Sequence, residues 1–340
     1  MKILLYTDLH MCPRSSIVSR WGSEFPLRLE NCIATVNWVQ HLAEENYCDF
    51  IISLGDFFDR PDLTSDTITA ATKISWATQT NYSLVGNHDA SVSSLAFNSV
   101  NCLKSAGHVI IDTPTKQKLG SVEICFLPYI TEADRQPLAS YFGPKTSDFR
   151  LILSHNDLAG VQMGPVMSRT GFSVQDIEQN CDLFLNGHLH NGLPITEKII
   201  NLGNITGKDF SEDARKYSHG AYIFDTSTKK LTFIENPHAF NFYKLNIETE
   251  ADLKSLQGLK SNAILSIKCI DTLQDRVREL IAEMPNVIDA RVITTRTSDE
   301  PTVCDITSFH VDYLAQFVDC CRSVIDNSQI LEDELAEICK

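Results

Sequence analysis

Short apolar runs recur along the first two-thirds of the chain and are typical of β-strands. They are KILLYT, DFIISLG, YSLVG, HVIIDT, VEICFLPY, RLILSH, LFLNGH, KIINLGN, AYIFDT and LTFIE. Segments of helical length lie between the early runs, near residues 27–45, 64–79 and 93–106. After residue 195 the spacing shrinks to short strands with tight turns. The pattern therefore predicts a layered αββα sandwich of mixed sheets rather than a purely doubly wound fold.

The character of the chain changes near residue 238, where a second series of elements begins. Residues 240–295 alternate strand, helix, strand, helix and strand, which predicts a small α/β unit. The segment RTSDEPTVCD resembles a linker, and two amphipathic helices separated by DNSQ follow it. We therefore expect a main domain at 1–238, a small α/β capping domain at 239–296, and a linker with a helical hairpin at 297–340.

The charge and the apolar content limit the classes of function. The net charge is −15 and the sequence pI is near 5.0, which argues against binding nucleic acid through a broad basic surface. An acidic chain favours a site that collects cations. No apolar run reaches the roughly 18–20 residues needed to span a membrane, and MKILLYTDLH is a poor signal peptide. We expect a cytoplasmic protein.

The 11 cysteines do not indicate a disulfide framework. Their number is odd, no C-x-x-C pair occurs, and Cys125 and Cys269 lie inside apolar runs. Reduced, buried thiols explain this distribution better than disulfides or zinc ligands.

Polar side chains of the types that can bind metals follow five of the predicted strands. The motifs are Asp8-Leu9-His10, Gly55-Asp56-Phe57-Phe58-Asp59, Gly86-Asn87-His88-Asp89, Ser154-His155-Asn156-Asp157 and Gly187-His188-Leu189-His190. Each motif alone is weak, since a carboxylate can cap a turn and a lone histidine is usually a hydrogen-bonded core residue. The last motif is stronger, because His188 and His190 would face the same side of a strand. Together the five motifs predict one shared site.

The types of ligand indicate the chemistry of that site. Imidazoles, carboxylates and one amide oxygen, with no thiolate, suit Mn²⁺, Fe²⁺ or Zn²⁺ better than Ca²⁺ or Mg²⁺. Seven candidate ligands are too many for one tetrahedral ion, but they fit two ions about 3.5–4 Å apart that share a carboxylate. Such a pair fits phosphoester hydrolysis, since it activates water and neutralises phosphoryl charge. Asn87 would then bind a metal, and His88 would be free for the substrate.

In order and spacing, the motifs resemble those of the calcineurin-like metallophosphoesterase superfamily. The pattern D-x-H, G-D-x-x-D, G-N-H-[DE], a separate His and G-H-x-H is complete over residues 8–190. Within the superfamily the chain is most similar to the nuclease subunits of SbcCD-type double-strand-break-repair complexes, in a compact, bacteriophage-like form. SLGDFFDRP, VGNHD and NLGNITGKDF carry this finer resemblance. The chain departs from it at Gly203-Asn204-Ile205, where the family often has Gly-Ser-Pro.

The resemblance implies a metallophosphoesterase sandwich that binds two divalent ions. Mn²⁺ is the metal that it implies first. The implied ligands are Asp8, His10, Asp56 and His190 for one ion and Asp56, Asn87, His155 and His188 for the other. Asp56 would bridge the ions, and His88 would donate a proton to the leaving 3′ oxygen or stabilise its charge. Asp59 and Asp89 would orient the metal-binding histidines.

The resemblance also implies a substrate and partners. Such subunits are Mn²⁺-dependent exonucleases with endonuclease activity on double-stranded DNA ends. They act as homodimers with a coiled-coil ABC-type ATPase in DNA recombination, repair or degradation. If this chain is phage-encoded, we expect it in the cytoplasm of the host. The hairpin within 297–340 would hold the ATPase, and a helical bundle from 64–79 and 93–106 would form the dimer. The basic residues that could contact DNA phosphates, or be solvated surface instead, are Arg14 and Arg20 after the first motif and Lys208, Arg215 and Lys216 after the last.

Two other functions fit the same motifs. The first is a phosphatase of small phosphoesters or phosphoproteins, and the second is a non-catalytic scaffold of the same fold. The complete ligand set argues against the scaffold. The additional unit after residue 238 and the terminal helices argue against a compact phosphatase, which needs neither.

Overall fold

A computed structural model describes residues 1–295 except 14–17, 19, 92–93 and 164–165. Met1–Thr295 cluster into one compact unit. The predicted linker and helical hairpin lie outside the described residues, and so does Arg14.

Two sheets of six strands each form the centre of the described chain. The first sheet contains, from edge to edge, Lys230–Glu235, Gly220–Asp225, Lys2–Tyr6, Phe50–Ser53, Thr80–Leu84 and Val109–Ile111. The second contains Leu193–Pro194, Ile199–Asn201, Leu183–Asn186, Phe149–Ser154, Val122–Leu127 and Thr115–Leu119. All ten apolar runs contribute a strand, and the predicted α/β sandwich of mixed sheets is confirmed.

Both sheets combine a parallel centre with antiparallel strands at the side. In the first sheet Leu4 pairs with Ile51 in parallel register and with Ile223 in antiparallel register. In the second, Leu153 pairs with Phe126, again in parallel register. The carboxyl ends of parallel neighbours meet at one edge of a sheet, so the motifs that follow these strands are brought together.

Because successive side chains of a strand point to opposite faces of its sheet, each strand contributes to the apolar clusters on both faces. Ile3 and Leu5 enter an apolar cluster between the two sheets, whereas Leu4 and Tyr6 face the helix Leu27–Glu45. A third cluster covers the other face of the second sheet with helices. Its helical members are Leu138 and Phe142 from Leu138–Phe142 and Ile177 from Val174–Asn180. Each strand of the parallel centre is therefore buried on both faces, which explains its continuous apolar sequence.

The helix predicted near 27–45 is present as Leu27–Glu45, but the one predicted at 64–79 is much shorter. It covers Ser65–Ala71 only. Beyond it, the backbone amide of Ser75 donates to Asn37 Oδ1 at 2.8 Å and that of Ala77 to Gln40 Oε1 at 3.2 Å. These amides bond to side chains of the long helix instead of continuing a helix of their own.

The prediction of a helix at 93–106 was wrong. The described part of this segment forms the strand Ser94–Asn98, paired with Ala90–Ser91, and then the 3₁₀ helix Ser99–Ala106. Leu95 and Phe97 alternate as strand residues do, and the Asn98 side chain caps the 3₁₀ helix at Asn101 N. The two segments proposed for a dimer bundle thus contain far less α-helix than their sequences predicted.

Several short elements had no clear sequence signal. The edge strand Thr115–Leu119 is polar and largely exposed, so it shows no apolar alternation. The remaining short elements are the 3₁₀ helix Glu132–Asp134 and the strand pairs Leu158–Ala159 with Phe172–Ser173 and Gln162–Met163 with Val166–Met167. No helix of the described residues is long and apolar enough to cross a membrane.

A third, fully parallel sheet follows the first two along the chain. It contains Asn241–Ile247, Ala263–Ile270 and Val287–Thr295, connected by the 3₁₀ helices Glu250–Leu256 and Asp271–Leu273 and the helix Gln274–Ala282. It has an apolar cluster of its own that includes Leu245, Leu265 and Ile267. The elements match the predicted α/β unit, except that the first connection is 3₁₀ rather than α-helical. The division at residue 238 stays a prediction.

We expect His108 to make the protein less stable in acid. Its Nδ1 lies 3.0 Å from Ser83 Oγ, its Nε2 is buried without a hydrogen-bond partner among the described residues, and burial lowers its pKa to about 4. Below pH 6.5 the unfolded chain binds a proton at this histidine that the folded protein does not bind until about pH 4. Stability should therefore fall as the pH falls through this window, by about 2 kcal/mol between pH 7 and pH 5.

The measurement is urea unfolding at these two pH values for the wild type and for His108→Phe, which cannot titrate. The variant should lose less stability on acidification. The same substitution at His41, which is exposed on the long helix, is the control. An unchanged pH dependence in His108→Phe would contradict the assignment.

Candidate metal centre

Four of the predicted ligands have left-handed backbone conformations. The φ angles are 54° at Asp8, 47° at His10, 50° at Asp56 and 72° at His188. Residues with a side chain rarely adopt positive φ, and a group of them in one place is typical of functional sites. Backbone hydrogen bonds stabilise these turns, since Asp8 N donates to Gly55 O at 3.1 Å and His10 N to Asp56 O at 2.9 Å.

Glycines in the motifs allow the ligand loops to approach one another. A Cβ atom on Gly86 would lie 2.1 Å from Asp56 Oδ1, and one on Gly55 would lie 2.4 Å from His155 Nδ1. Neither distance is possible for a real side chain. The glycine of each motif therefore lets a candidate ligand side chain from a neighbouring loop occupy that space.

The first group of ligands contains Asp8, His10 and His190, whose ligand atoms all lie within 4.8 Å of one another. Two imidazole nitrogens, Nε2 of His10 and Nε2 of His190, are 3.1 Å apart. They lie 3.8 and 4.0 Å from the same oxygen, Asp8 Oδ1. Three electron-pair donors thus converge on one point, as ligands of a single cation do.

The second group contains Asp56, His155 and His188, with Asn87 beside them. His155 Nε2 lies 3.2 Å from Asp56 Oδ2, and Asn87 Oδ1 lies 2.9 Å from His188 Nδ1. Asp56 Oδ2 is also 3.7 Å from His10 Nε2 of the first group. The Asp56 carboxylate therefore lies between the two groups, where a bridging ligand has to be.

One buried oxygen tests whether cations fit here. Asp8 Oδ2 accepts hydrogen bonds from Thr7 Oγ1 at 2.6 Å and His188 N at 3.0 Å, but Asp8 Oδ1 is buried with no hydrogen-bond partner among the described residues. A buried, unpaired carboxylate oxygen is costly. It faces His10 and His190, so a divalent ion at this point would satisfy it. The site fits a metal.

The electrostatics of the site favour positive charge. Burial opposes ionisation of Asp8, but His155, His10 and His190 hold its pKa below the ordinary value. Burial likewise opposes protonation of His155, yet the Asp56 and Asp8 carboxylates raise its pKa to about 9. The groups therefore stabilise a cation between them, whether a proton or a metal ion.

The second ring nitrogen of each predicted site histidine faces an oxygen atom, and this fixes the ring orientation. The pairs are His10 Nδ1 with Asp59 Oδ1 at 3.2 Å, His155 Nδ1 with Leu54 O at 2.9 Å, His188 Nε2 with Asp157 Oδ1 at 2.9 Å, His190 Nδ1 with Glu212 Oε1 at 3.2 Å, and His88 Nδ1 with Asp59 O at 3.0 Å. Each ring is thus left with one nitrogen for a metal or a substrate.

The structure distinguishes the two carboxylates expected to orient histidines. The Asp59 carboxylate faces the His10 ring. Asp89 accepts hydrogen bonds from the backbone amides of Phe58 at 2.9 Å and Gly86 at 3.1 Å instead. It is fully buried, and this burial together with the Asp56 charge raises its pKa to about 7. Asp89 therefore connects the backbones of two ligand loops rather than orienting an imidazole.

His88 lies beside the ligands and is only partly buried. Its backbone amide donates to Asp56 Oδ1 at 2.8 Å, and its ring is 4.7 Å from that of His10 in an edge-on arrangement. Burial lowers the pKa of His88. The side chain is also close enough to His10 and Asp56 to form a third potential metal-binding group. The geometry thus allows a ligand role beside the predicted catalytic one.

A model of the calcineurin-like phosphoesterase family matches residues 1–192, more than half of the chain. The chain belongs to this family. Members use divalent metals, and this phosphoesterase has side-chain groups able to hold them. It is accordingly a metal-dependent hydrolase of phosphoesters.

The other comparisons give less information. No curated protein matches this chain. Among solved structures, an archaeal phosphodiesterase is 14% identical with a TM-score of 0.38, over 69% of this chain and 99% of its own. A dimetal phosphatase from Danio rerio is 13% identical with a TM-score of 0.40, over 65% of this chain and 91% of its own. Similarities this distant carry no argument about the substrate.

Two carboxylates of the phosphoesterase site were not predicted. Asp157 was noticed only as part of a motif, and Glu212 had no signal because it follows no strand. Glu212 is fully buried and accepts hydrogen bonds from Asn204 Nδ2 at 2.7 Å and Lys208 N at 2.8 Å. Burial opposes its ionisation, but contact with His190 lowers its pKa. The loop that departs from Gly-Ser-Pro thus supplies Asn204 to hold Glu212, which in turn contacts the candidate ligand His190.

We expect Glu212→Gln to weaken metal binding about 10- to 100-fold, as is usual when the partner of a ligating histidine is changed. The glutamine keeps the size of the side chain but loses the charge that stabilises the His190 ring. Calorimetry with Mn²⁺ measures the effect, and circular dichroism checks the fold. Glu235→Gln, at an exposed carboxylate paired with Lys260, is the control. Equal affinity in the two variants would show that Glu212 does not position His190.

The predicted phosphate-binding residues differ in position. Lys208 Nζ lies 3.4 Å from Asp59 Oδ1 and 3.3 Å from His10 Nδ1, so it is at the edge of the metal site. Arg20 donates to the carbonyl oxygen of Ile288. Lys208 thus lies at the metal site, whereas the position of Arg14 is outside the described residues.

Proposed function

We propose that this phosphoesterase is the nuclease subunit of an SbcCD-type complex, a two-metal-dependent enzyme that hydrolyses phosphodiesters at DNA ends. The observation that carries the hydrolytic part is the Asp56 carboxylate, which lies between two groups of imidazole ligands with His88 beside it. The motifs over residues 8–190 and NLGNITGKDF support the nuclease part. The donor set supports Mn²⁺ as the metal.

In this proposal the ligands divide as the two groups do. Asp8, His10 and His190 would hold one ion, and His155, His188 and Asn87 the other, with Asp56 shared between them. A bound metal pair supplies Lewis acidity at the phosphoryl oxygens and lowers the pKa of water. The protein positions these ions through the carboxylates and carbonyls behind the histidines.

His88 would donate a proton to the leaving 3′ oxygen. The carbonyl oxygen of Asp59 accepts from Nδ1, so the proton on that nitrogen is fixed and Nε2 is the atom that takes up and releases a proton. Burial lowers the pKa of the ring, which makes a protonated His88 a stronger acid. Such an imidazolium would donate its proton readily to a developing alkoxide.

The test compares substrates under one set of conditions. Linear duplex DNA and p-nitrophenyl phosphate are incubated separately with the full chain and Mn²⁺. The nuclease proposal expects DNA cleavage that EDTA abolishes. Rapid turnover of the small phosphate without DNA cleavage would favour a phosphatase. No turnover of either substrate, with Mn²⁺ bound, would favour a scaffold.

The partners are proposed on sequence grounds. The sequence of 297–340 predicts a polar linker and two amphipathic helices, which would suit a tethered contact with the coiled-coil ATPase. A second copy of the chain would complete a homodimer. The ATPase would also supply positive surface for DNA, since this chain has a net charge of −15.

We expect truncation after Thr297 to abolish co-purification with the ATPase and all stimulation by ATP. Mn²⁺-dependent cleavage of short DNA ends should remain, because the metal ligands precede residue 191. Affinity purification of the co-expressed pair measures the first effect. A truncated chain that still forms the complex would show that the ATPase binds elsewhere.

A further inference from the structure

A cavity of about 370 Å³ opens next to the metal centre, and Asn87 forms part of its wall. Its other lining residues combine one aromatic ring with apolar and polar groups. They include Tyr129, Leu95, Ile130, Thr131 and Asp134. The Tyr129 ring lies 6.3 Å from the ring of His188, so the aromatic wall adjoins the second group of ligands. A molecule held at the metals could therefore extend into this cavity.

The lining determines which part of a substrate fits. Among the described residues that line the cavity, Asp134 is the one charged side chain, and it is negative. A phosphate group is therefore disfavoured here, and an uncharged organic group is favoured. The half-buried Tyr129 ring offers a stacking surface, and Leu95 and Ile130 offer apolar contacts. The Asp134 carboxylate, which accepts from Thr131 Oγ1 at 2.7 Å, can accept from further N–H or O–H donors.

We propose that this cavity binds a nucleoside that is esterified to the phosphate at the metal centre, with its base stacked on Tyr129. The inference rests on the proposed function and adds the part of the substrate that is recognised. A nucleobase is flat and uncharged and carries at least one N–H donor, and stacking on an aromatic ring tolerates any base. The volume suits one unstacked nucleoside rather than a base pair, so the recognised end is frayed or single-stranded.

Two phosphodiesters with the same leaving group isolate the contribution of the cavity. One is the p-nitrophenyl ester of thymidine 5′-phosphate, and the other is methyl p-nitrophenyl phosphate, which has a methyl group in place of the nucleoside. Both are assayed with the full chain and Mn²⁺. The nucleoside ester should have the higher kcat/KM by about tenfold or more, through a lower KM. Equal kcat/KM for the two esters would overturn the cavity proposal alone, whereas hydrolysis of neither ester would overturn the nuclease proposal with it.

Variants assign the preference to the aromatic wall. The ratio of kcat/KM between the two esters cancels any general effect on the metal centre. Tyr129→Ala should lower this ratio about tenfold, and Tyr129→Phe should retain it because the ring remains. Tyr47→Ala is the matched control, since Tyr47 is 85% exposed after the long helix. A ratio in Tyr129→Ala equal to that of the Tyr47 control would overturn the stacking role.

A binding measurement separates recognition from catalysis. Saturation-transfer NMR with thymidine alone needs neither a reacting phosphate nor turnover. Transfer to the base protons should occur with the wild type and with Tyr129→Phe, and should be lost with Tyr129→Ala. Equal transfer in all three proteins would overturn the assignment of the base to this wall.

Discussion

Asp56→Ala should lower Mn²⁺-dependent phosphodiesterase activity about 10³-fold or more while the fold survives. Its Oδ2 lies 3.2 Å from His155 Nε2 and 3.7 Å from His10 Nε2, so one carboxylate serves both groups of ligands. Its Oδ1 accepts from the backbone amide of His88 at 2.8 Å. Removing the side chain would therefore disconnect the two groups of candidate ligands and release the His88 loop. Steady-state turnover of bis(p-nitrophenyl) phosphate measures the effect.

The control for this variant is an aspartate that flanks the same strand. Asp49 precedes Phe50–Ser53 at the end opposite to Asp56, is exposed, and accepts from the backbone amide of Lys2 at 2.8 Å. Asp49→Ala should keep wild-type activity. His188→Ala should resemble Asp56→Ala, since it removes another ligand. Wild-type activity in the Asp56 variant would refute the assignment of a shared carboxylate.

The second large effect is expected at His88. His88→Ala should retain both metal ions and lose about 10²- to 10⁴-fold in kcat, the range for general acid catalysis. The reason is that the fixed proton on Nδ1 leaves Nε2 for proton transfer, and an alanine has no group for that step. Calorimetry with Mn²⁺ gives the number of ions bound, and single-turnover cleavage gives the rate.

The same two measurements distinguish the roles that the geometry allows. His88 is close enough to His10 and Asp56 to bind an ion itself. If His88→Ala bound one ion fewer than the wild type, His88 would be a ligand and the proton donor would have to be found elsewhere. His41→Ala, at an exposed position on the long helix, controls for the general loss of a histidine.

The sequence predicted the parts of this fold that depend on local pattern. The central strands are buried on both faces, so each appears as an apolar run such as KILLYT, and the ligand motifs follow directly where these runs end. Parallel neighbours then bring the motifs to one edge. The segment 94–106 was misassigned because its length resembled a helix, whereas its alternation of Leu95 and Phe97 was that of a strand.

The rest of the site depends on contacts between residues distant in the chain. Glu212 is 22 positions beyond His190 and reaches it only because the loop around Asn204 folds back under the metal site. The resemblance implied that Asp89 orients a histidine, but the buried carboxylate accepts hydrogen bonds from the backbone amides of two ligand loops. Neither assignment follows from periodicity or from the types of neighbouring residues.

The ligands come from both central sheets, and this has a thermodynamic consequence. Asp8 and Asp56 follow strands of the first sheet, whereas His155 and His188 follow strands of the second. A bound ion would therefore add a link between two layers that already meet through apolar packing and through hydrogen bonds such as that from His188 N to Asp8 Oδ2. Because the unfolded chain cannot assemble these ligands, metal affinity is coupled to folding, and metal at a hundredfold excess over its dissociation constant adds about 2.7 kcal/mol per site. In the proposed function the same residues would thus contribute both to catalysis and to the cohesion of the sandwich.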